Sequence, residues 1–405
     1  MKGFNPIVLA VPLYLVGMVV EGWVSRRRRA GLYDVDDTLN NLACGLYQQL
    51  MVVVAAGVLL APYLWVYEHA RVTDWWGEHP GVAWVVAFVL ADFFYYWFHR
   101  WSHESAIGWF SHVVHHQSEE YNLSVALRQD AWQPFFSLWF FLPIALLGIP
   151  PAIFVPAYGV MIVYQYWIHT RLIDRVGPLE WVLNTPSHHR VHHGVNPEYL
   201  DRNYAGVFIV WDRWFGTFEP ERAVPTYGTI EPLASFNPVW SHLQYGVKLG
   251  LKAASMPTLW TALQAIVRSP GWVPPGRVAE DFNAQAQARL GAPKYRVKVD
   301  PARRAWVMVS FVVAMGVGSV PLGVPMARWA AGLWALASVW GLANVGGVTE
   351  ARGWARGSEG LRLALLAVAA GVMAVATRQP LWMVAALASW GLRVWLYRVT
   401  RVGGR

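Results

Sequence analysis

The chain has 405 residues, of which 55% are hydrophobic and only 14% are charged. Globular domains carry about 25% charged residues, so this composition excludes an ordinary soluble protein and indicates one that is surrounded by lipid. The formal net charge of +8 does not indicate a nucleic-acid partner, because basic residues such as Arg26 to Arg29 sit beside apolar runs rather than among polar residues.

A single cysteine, Cys44, lies inside an apolar stretch of the sequence. One cysteine cannot form a disulfide within the chain, and it cannot supply a cysteine-based zinc or iron–sulfur site. Any metal site must therefore use nitrogen and oxygen ligands.

Nine apolar segments approach the length of about 20 residues that a helix needs to cross a membrane. Arg26 to Arg29 follow the first segment instead of preceding it, which favours an uncleaved span over a signal peptide. The fourth and fifth segments flank the turn Gly148 to Pro151, which predicts a hairpin that does not fully cross. We predict an all-α polytopic bundle with segments at 5–25, 43–66, 81–98, 132–149, 151–169, 305–323, 329–347, 361–377 and 380–397.

Basic residues predict the orientation of these segments, because they are enriched in cytoplasmic loops. When the segments alternate across the membrane, the loops on one side carry no more than a single basic residue each: Arg71, Arg328 and Arg378. The loops on the other side are rich in arginine, and they carry Arg26 to Arg29, Arg352, Arg356, Arg362, Arg398, Arg401 and Arg405. The arginine-rich side is therefore predicted to be cytoplasmic.

The segment 170–304 is more polar than the rest and contains amphipathic stretches such as Trp240 to Val267. We interpret it as a cytoplasmic cap on the membrane face of the spans. The predicted organisation is an N-terminal membrane region (1–80), a catalytic region (81–225), an amphipathic cap or linker (226–304) and a C-terminal membrane region (305–405).

Ten of the thirteen histidines lie between residues 99 and 193. They form one HxxxH box and two HxxHH boxes, with two further histidines nearby. Spacings of three and four place imidazoles on one helix face, with Cβ atoms ~5–6 Å apart, and all three boxes fall on the predicted cytoplasmic side. The ten are His99, His103, His112, His115, His116, His169, His188, His189, His192 and His193.

So many buried imidazoles need a shared partner, because an unpaired buried polar group costs a few kcal/mol, and a metal centre would supply one. Eight or nine nitrogens exceed the needs of one ion, so two ions fit better. Imidazole suits iron, zinc, copper and nickel alike, which leaves the metal open. We expect His69, His79 and His242 to be ordinary structural histidines.

Metal-bound histidines usually donate their second ring N–H to a carboxylate or a carbonyl. Five acidic residues near the boxes are candidates for this role. Glu104 is the leading candidate, because it directly follows His103, and it is also our candidate catalytic residue. The others are Asp92, Asp130, Asp174 and Asp201.

Three histidine boxes in a membrane chain resemble the fatty acid hydroxylase and sterol desaturase superfamily. The resemblance is strong over residues 80–220 and extends to the subgroup of alkylglycerol monooxygenases, for which the stretch after Tyr121 is the most specific. The stretches that carry it are Phe98 to Glu104, Tyr121 to Gln129, Tyr164 to Thr170, Asn184 to His193 and Asn203 to Trp211.

The resemblance implies two iron ions that activate O2, a membrane lipid substrate and a diffusible reductant, which is tetrahydrobiopterin in the subgroup. The implied ligands are the box histidines and His169. Some relatives have a second histidine four residues before the position of His169, where this chain has Gln165, so His188 is an alternative ligand. The implied reaction hydroxylates the alkyl carbon beside an ether oxygen and releases a fatty aldehyde.

Other functions stay open at this point. A related enzyme could hydroxylate or desaturate a sterol, a carotenoid or an acyl lipid. A metal transporter would place its ligands near the middle of the bilayer, whereas these boxes lie at the ends of spans and beyond. The expected location is the inner membrane of a bacterium or the endoplasmic reticulum of a eukaryote, and the sequence leaves the oligomeric state open.

Overall fold

The structure is a computed structural model that describes residues 6–324 and 326–400. Arg401 and Arg405, two of the basic residues that predict the orientation, lie outside the described residues. The described chain is helical and contains no strands, only two isolated antiparallel bridges, Leu183 with Phe208 and Gly194 with Tyr227. The predicted all-α class is confirmed.

Eighteen α-helices follow one another along the described chain, together with four short 3-10 turns. The helices are α1 (Pro6–Arg28), α2 (Val35–Ala70), α3 (Trp75–Glu78), α4 (Pro80–Glu104), α5 (Ala106–Phe110), α6 (Val113–His116), α7 (Gln133–Ser137), α8 (Leu142–Leu146), α9 (Pro151–Tyr164), α10 (Pro186–His192), α11 (Val210–Phe215), α12 (Pro238–Ala254), α13 (Leu259–Val267), α14 (Phe282–Arg289), α15 (Pro301–Gly323), α16 (Arg328–Thr349), α17 (Ala355–Thr377) and α18 (Pro380–Val399).

Six helices are long and apolar enough to cross a membrane: α1, α2, α4, α15, α16 and α17. The protein is therefore an integral membrane protein. The predicted segments 132–149 and 151–169 form shorter apolar helices, as expected for a hairpin that does not fully cross. The predicted segment 380–397 is helical as α18, but it is not among the six.

The chain divides into two compact units. One comprises Met1–Gly45, Ala55–Leu233 and His242–Lys294, and the other comprises Leu46–Val54, Ala234–Ser241 and Tyr295–Arg405. The four-part organisation drawn from the sequence stays a prediction. In the second unit, Asn344 of α16 donates to the Glu359 carboxylate of α17, which also pairs with Arg362. This buried polar contact joins the two helices.

Helix α4 is the central support of the first unit. Three alanines four residues apart, Ala83, Ala87 and Ala91, are completely buried on one of its faces. Small residues let helix backbones approach closely, and α4 packs against α9, where Ala157 is also buried. With 25 residues, α4 exceeds the length needed to cross a membrane, and its last turns carry the first histidine box.

Candidate metal centre

Nine histidines form two adjacent groups in which the candidate ligand atoms lie within 4.8 Å of one another. All nine side chains are buried. The five-histidine group consists of His99, His103, His112, His116 and His192. The four-histidine group consists of His115, His169, His189 and His193.

The two HxxHH boxes are divided between these groups in opposite ways. In the first, His112 and His116 belong to the five-histidine group and His115 to the four-histidine group. In the second, His189 and His193 belong to the four-histidine group, and His192 belongs to the five-histidine group. Residues four apart on a helix share a face, whereas consecutive residues, such as His115 and His116 or His192 and His193, point about 100° apart. Each short helix can therefore serve both groups.

A sharp reversal after α4 brings the first two boxes together. The Ser105 side chain accepts a hydrogen bond from the backbone N–H of Gly108 (3.4 Å) and caps α5. A Cβ at Gly108 would lie 2.6 Å from the carbonyl oxygen of Trp101, so only glycine permits this approach. The chain then enters α6 beside the last turn of α4.

Backbone carbonyls fix the tautomer of several candidate ligand histidines. Nδ1 of His115 lies 2.8 Å from the carbonyl oxygen of Arg128, and Nδ1 of His169 lies 2.7 Å from that of Gln165. A carbonyl oxygen can only accept, so each Nδ1 carries the proton and each Nε2 of the neutral ring presents a lone pair. Partners of this kind orient metal-binding histidines.

The same arrangement holds in the five-histidine group. Nδ1 of His99 donates to the carbonyl oxygen of Tyr204 (2.6 Å), and Nδ1 of His192 donates to that of Arg202 (3.0 Å). Nδ1 of His112 lies 3.2 Å from the side-chain oxygen of Gln133. The sequence gives no signal for carbonyl partners, because every residue carries one.

Two buried carboxylates hold the backbone that carries the Tyr204 carbonyl. Asp212 accepts from the backbone N–H groups of Tyr204 (2.8 Å) and Ala205 (2.9 Å). Asp92 of α4 accepts from those of Val207 (2.7 Å) and Phe208 (2.9 Å). Asp92 was a candidate for direct contact with a histidine, but its hydrogen bonds secure this loop. Asp212 was missed by the sequence analysis.

Arg128 plays a similar part for the second box. Its buried guanidinium donates to the carbonyl oxygen of Val114 (2.6 Å), inside α6, and to the side chains of Asn41 (3.2 Å) and Gln117 (2.7 Å). Because the Arg128 carbonyl accepts from His115, this one residue connects α2, α6 and a candidate ligand histidine. Its position in the stretch from Tyr121 to Gln129 was the available sequence signal.

Among the other candidate carboxylates, Asp201 lies nearest to a clustered histidine, with one oxygen 3.6 Å from Nδ1 of His103. Asp130 accepts from the backbone N–H of Trp132 (2.8 Å), and Asp174 is exposed beside Arg190 (3.7 Å). Asp201 is therefore the candidate carboxylate that lies beside the candidate metal centre.

Glu104 and His188 lie outside both groups. Glu104 is half exposed and accepts from Arg100 (2.8 Å), one turn earlier on α4. His188 has its Nδ1 3.4 Å from the Thr185 hydroxyl and its ring against Phe218. Both directly neighbour a clustered histidine, and consecutive residues of a helix point about 100° apart. Facing His103 and His189 inward turns these two side chains away.

Gln165 and the three histidines that were expected to be structural lie outside the two groups. The Gln165 amide lies 3.1 Å from the sulfur of Met161, while the Gln165 backbone carbonyl orients His169. His69 and His79 are exposed, and each ring nitrogen lies 2.9 Å from a backbone carbonyl of its own turn. His242 is buried near the carbonyl oxygen of Gln129 (3.4 Å). None of these four residues belongs to the two groups.

Burial favours the neutral form of the histidine rings in and directly after α6 and α10. It lowers the pKa of His115 to about 4 and holds the pKa of His116, His189, His192 and His193 well below the ordinary value, with further depression from neighbouring histidines. Neutral imidazole is the form that binds a metal ion. At neutral pH these rings need not lose a proton first.

The donor set fits a metal ion in each group. Nε2 of His103 and of His192 are buried without a hydrogen-bond partner among the described residues. Nε2 of His115 and of His169, whose Nδ1 atoms both donate to backbone carbonyls, face each other at 3.2 Å. Lone pairs that converge in this way repel unless a cation lies between them. Imidazole nitrogen is a good ligand for several transition metals.

The comparisons with known proteins agree with this geometry. A family model described as fatty acid hydroxylase matches residues 84–217, a range that contains both histidine groups. Buried histidine boxes beside membrane helices thus define a membrane protein of the fatty acid hydroxylase class. No solved structure matches the chain.

Three curated relatives indicate a more specific family. Alkylglycerol monooxygenase of Xenopus tropicalis is 40% identical over 285 residues, which cover 70% of this chain and 61% of the relative. The human protein of that name is 38% identical over 65% of this chain and 59% of its own length, and that of Danio rerio is 37% identical over 75% and 68%. The chain belongs to the alkylglycerol monooxygenase family. It spans about three fifths of the Xenopus and human relatives.

Proposed function

We propose that this protein is an O2-dependent di-iron lipid monooxygenase that cleaves the ether bond of alkylglycerols. The observation that supports this most directly is the pair of adjacent, buried histidine groups, with five and four candidate ligands. The proposed ligands are those nine histidines. The relatives named alkylglycerol monooxygenase suggest the substrate class.

The proposed reaction balances as a monooxygenation. The alkyl CH2 beside the ether oxygen becomes CH(OH), and O2, two electrons and two protons provide the inserted oxygen atom and one water molecule. The resulting hemiacetal loses its C–O bond to glycerol and gives a fatty aldehyde and a free glycerol hydroxyl. Two bound iron ions would supply the reduction of O2 and the oxidising power for the C–H bond.

The residues of this chain would hold and insulate the reacting centre. Carbonyl partners fix the rings of His99, His115 and His169, so little reorganisation is needed when metal binds. The Trp109 ring lies 4.9 Å from that of His103, and the Tyr121 ring lies 5.3 Å from that of His193. Such an apolar surround limits water, which would otherwise compete at the metal ions.

The two electrons must come from a reductant. We propose diffusible tetrahydrobiopterin, in line with the resemblance to the alkylglycerol monooxygenase subgroup. The proposed orientation places the metal centre on the cytoplasmic side, because alternating α1, α2 and α4 bring His99 and His103 to the same side as Arg26 to Arg28 at the end of α1. The proposed membrane is the inner membrane of a bacterium or, in a eukaryote, that of the endoplasmic reticulum.

The test is a reconstituted assay. Purified protein in lipid vesicles is loaded with iron(II) and given O2, tetrahydrobiopterin and an alkylglycerol, and fatty aldehyde is measured. We expect aldehyde only when all components are present. His79→Ala, which alters an exposed histidine outside both groups, should retain activity, whereas His193→Ala should lose it.

Two outcomes would replace the proposal. Iron-loaded protein that ignores the ether but oxidises a sterol, a carotenoid or an acyl lipid would indicate another substrate within the fatty acid hydroxylase class. Active protein that contains no bound metal would overturn the oxygenase assignment itself.

A further inference from the structure

Helix α12 exposes a row of apolar side chains. Leu243, Val247 and Leu251 are all exposed, and Leu251 has 68% of its surface accessible. Their spacing of four residues places them on one helix face. Leu249, on another face, is buried. The exposed apolar row is therefore a separate face of α12 and not part of the packed core.

Helix α13 has the same character. Leu259, Leu263 and Val267 are exposed and again four residues apart, and Trp260 beside them is 68% accessible. Ala265 on the opposite side is completely buried. The exposed rows from Leu243 to Leu251 on α12 and from Leu259 to Val267 on α13 are called the apolar face. Exposed apolar side chains grouped in this way indicate an interaction or membrane site rather than a surface that faces only water.

The apolar face lies near the end of a membrane helix. The backbone N–H of Ala106, two residues beyond the end of α4, donates to the carbonyl oxygen of Arg268 at the end of α13 (2.7 Å). Gly246 of α12 leaves room for the Phe110 ring, which would touch a Cβ there at 2.6 Å. Because α4 is a candidate span that ends at Glu104, helices attached there lie close to the boundary between lipid and water.

Basic residues directly follow the exposed apolar ones. Lys248 follows Val247, Lys252 follows Leu251, and Arg268 follows Val267. A helix that lies in the plane of a membrane surface typically combines an apolar face, tryptophan and flanking lysine or arginine, which attracts anionic lipid headgroups. Lys248 also pairs with the Glu231 carboxylate, so the charge directed at lipid rests mainly on Lys252 and Arg268. This pattern favours lipid over an apolar protein surface as the occupant of this face.

We propose that α12 and α13 form an in-plane membrane-docking element, whose apolar face is immersed in the lipid leaflet at the histidine-bearing end of α4. The occupant is the bilayer surface itself. Helix α5 connects this element to the metal centre, because its Trp109 ring contacts those of His103 and His116 (4.9 and 5.3 Å between centroids).

Membrane docking would also affect substrate capture, a consequence that rests on the proposed function. If the substrate is a membrane lipid, docking of α12 and α13 holds that leaflet beside the metal centre, and the lipid need not leave the bilayer completely. The element would then affect the capture of bilayer-embedded substrate more than the chemical step.

The immersion can be measured without any enzyme assay. The single cysteine is replaced (Cys44→Ala), and a nitroxide label is attached to full-length protein carrying Leu251→Cys or Leu263→Cys. Asn283→Cys, on the exposed polar helix α14, is the matched control. Proteins are reconstituted in vesicles of zwitterionic and anionic phospholipid, and relaxation of each label by O2 and by a water-soluble nickel complex is compared.

We expect labels at 251 and 263 to be relaxed by O2 and protected from nickel, with depths of about 5–10 Å below the headgroups, whereas the label at 283 should show the reverse. Nickel accessibility at 251 and 263 equal to that at 283 would overturn the proposal. Protection from both reagents would also overturn it, because it would mean that protein covers this face.

The consequence for substrate capture has its own measurement. Leu263→Glu should raise KM for an alkylglycerol in vesicles severalfold while leaving metal content and kcat on detergent-dispersed substrate unchanged. Equal loss of kcat in both assays would instead indicate a structural role. The depth measurement stays valid if alkylglycerol is not the substrate, so the two proposals fail separately.

Discussion

Nε2 of His115 lies 3.2 Å from Nε2 of His169, although 54 residues separate them in the chain. Each ring donates its Nδ1 proton to a backbone carbonyl, of Arg128 and of Gln165. Two lone pairs therefore face each other in a buried site. A shared cation resolves this repulsion, and two such nitrogens bound at ~2.0–2.1 Å would be separated by a distance of this order.

The assignment of His192 and His193 to different metal ions can be tested by replacing each of them. His192→Ala and His193→Ala should each lower the bound metal from about two ions per chain to about one, and the double variant should lose both. Activity should fall by more than about 100-fold, since loss of an outer partner alone typically costs about 10–100-fold. Metal is counted by mass spectrometry of purified protein.

His188→Ala is the matched control for this series, because it alters the same helix outside both groups. It should keep both ions. If the double variant retained as much metal as either single variant, the two groups would not be separate sites.

Asp201 is expected to strengthen the metal centre through His103. Asp201→Asn removes the negative charge 3.6 Å from Nδ1 of His103, and asparagine tolerates the left-handed backbone at this position (φ +58). We expect about a 10-fold loss of metal affinity, measured by competition with a chelator. Asp174→Asn, which changes an exposed carboxylate, should leave affinity unchanged, and equal effects of the two substitutions would contradict a specific role.

Metal-free protein should lose stability in acid. The His115 pKa is lowered to about 4 in the folded state from an ordinary value of 6.5, so the unfolded chain binds more protons between these values and stability rises with pH. This contribution is complete above about pH 6.5 and lost as pH falls through about 4. The melting temperature of metal-free protein between pH 4 and 8 should follow this course.

His115→Gln should show a shallower dependence over the same interval. A melting temperature of the metal-free wild type that stayed constant or rose on acidification would show that the clustered histidines are not held neutral by burial.

Gly148 should be hard to replace. Its φ is +91, and an added Cβ would lie 1.9 Å from the carbonyl oxygen of Thr73. Gly148→Ala combines left-handed strain of about 1–2 kcal/mol with a steric clash of about 1–3 kcal/mol. Gly177→Ala introduces the same backbone strain (φ +69), but its Cβ would lie in open space. Thermal unfolding in detergent should therefore show a distinctly smaller decrease in melting temperature for Gly177→Ala than for Gly148→Ala. Equal melting temperatures of the two variants would rule out the close contact.

The sequence alone was sufficient for the general architecture and for most of the candidate metal centre. The length and hydropathy of the apolar segments predicted the membrane helices, because a bilayer imposes a fixed thickness on any helix that crosses it. Spacings of three and four predicted that the boxes from 99 to 193 would converge, and the structure brings nine of the ten histidines together.

Only the tertiary structure decided which rings belong together and what orients them. The sequence pattern does not distinguish adjacent histidines such as His188 and His189. Packing of α10 determines which one faces inward. The same holds for His103 and Glu104. The orienting partners, including the carbonyl of Tyr204 held by Asp212, are backbone groups brought near by folding. Their chemistry is the same in every residue, so no sequence pattern could identify them.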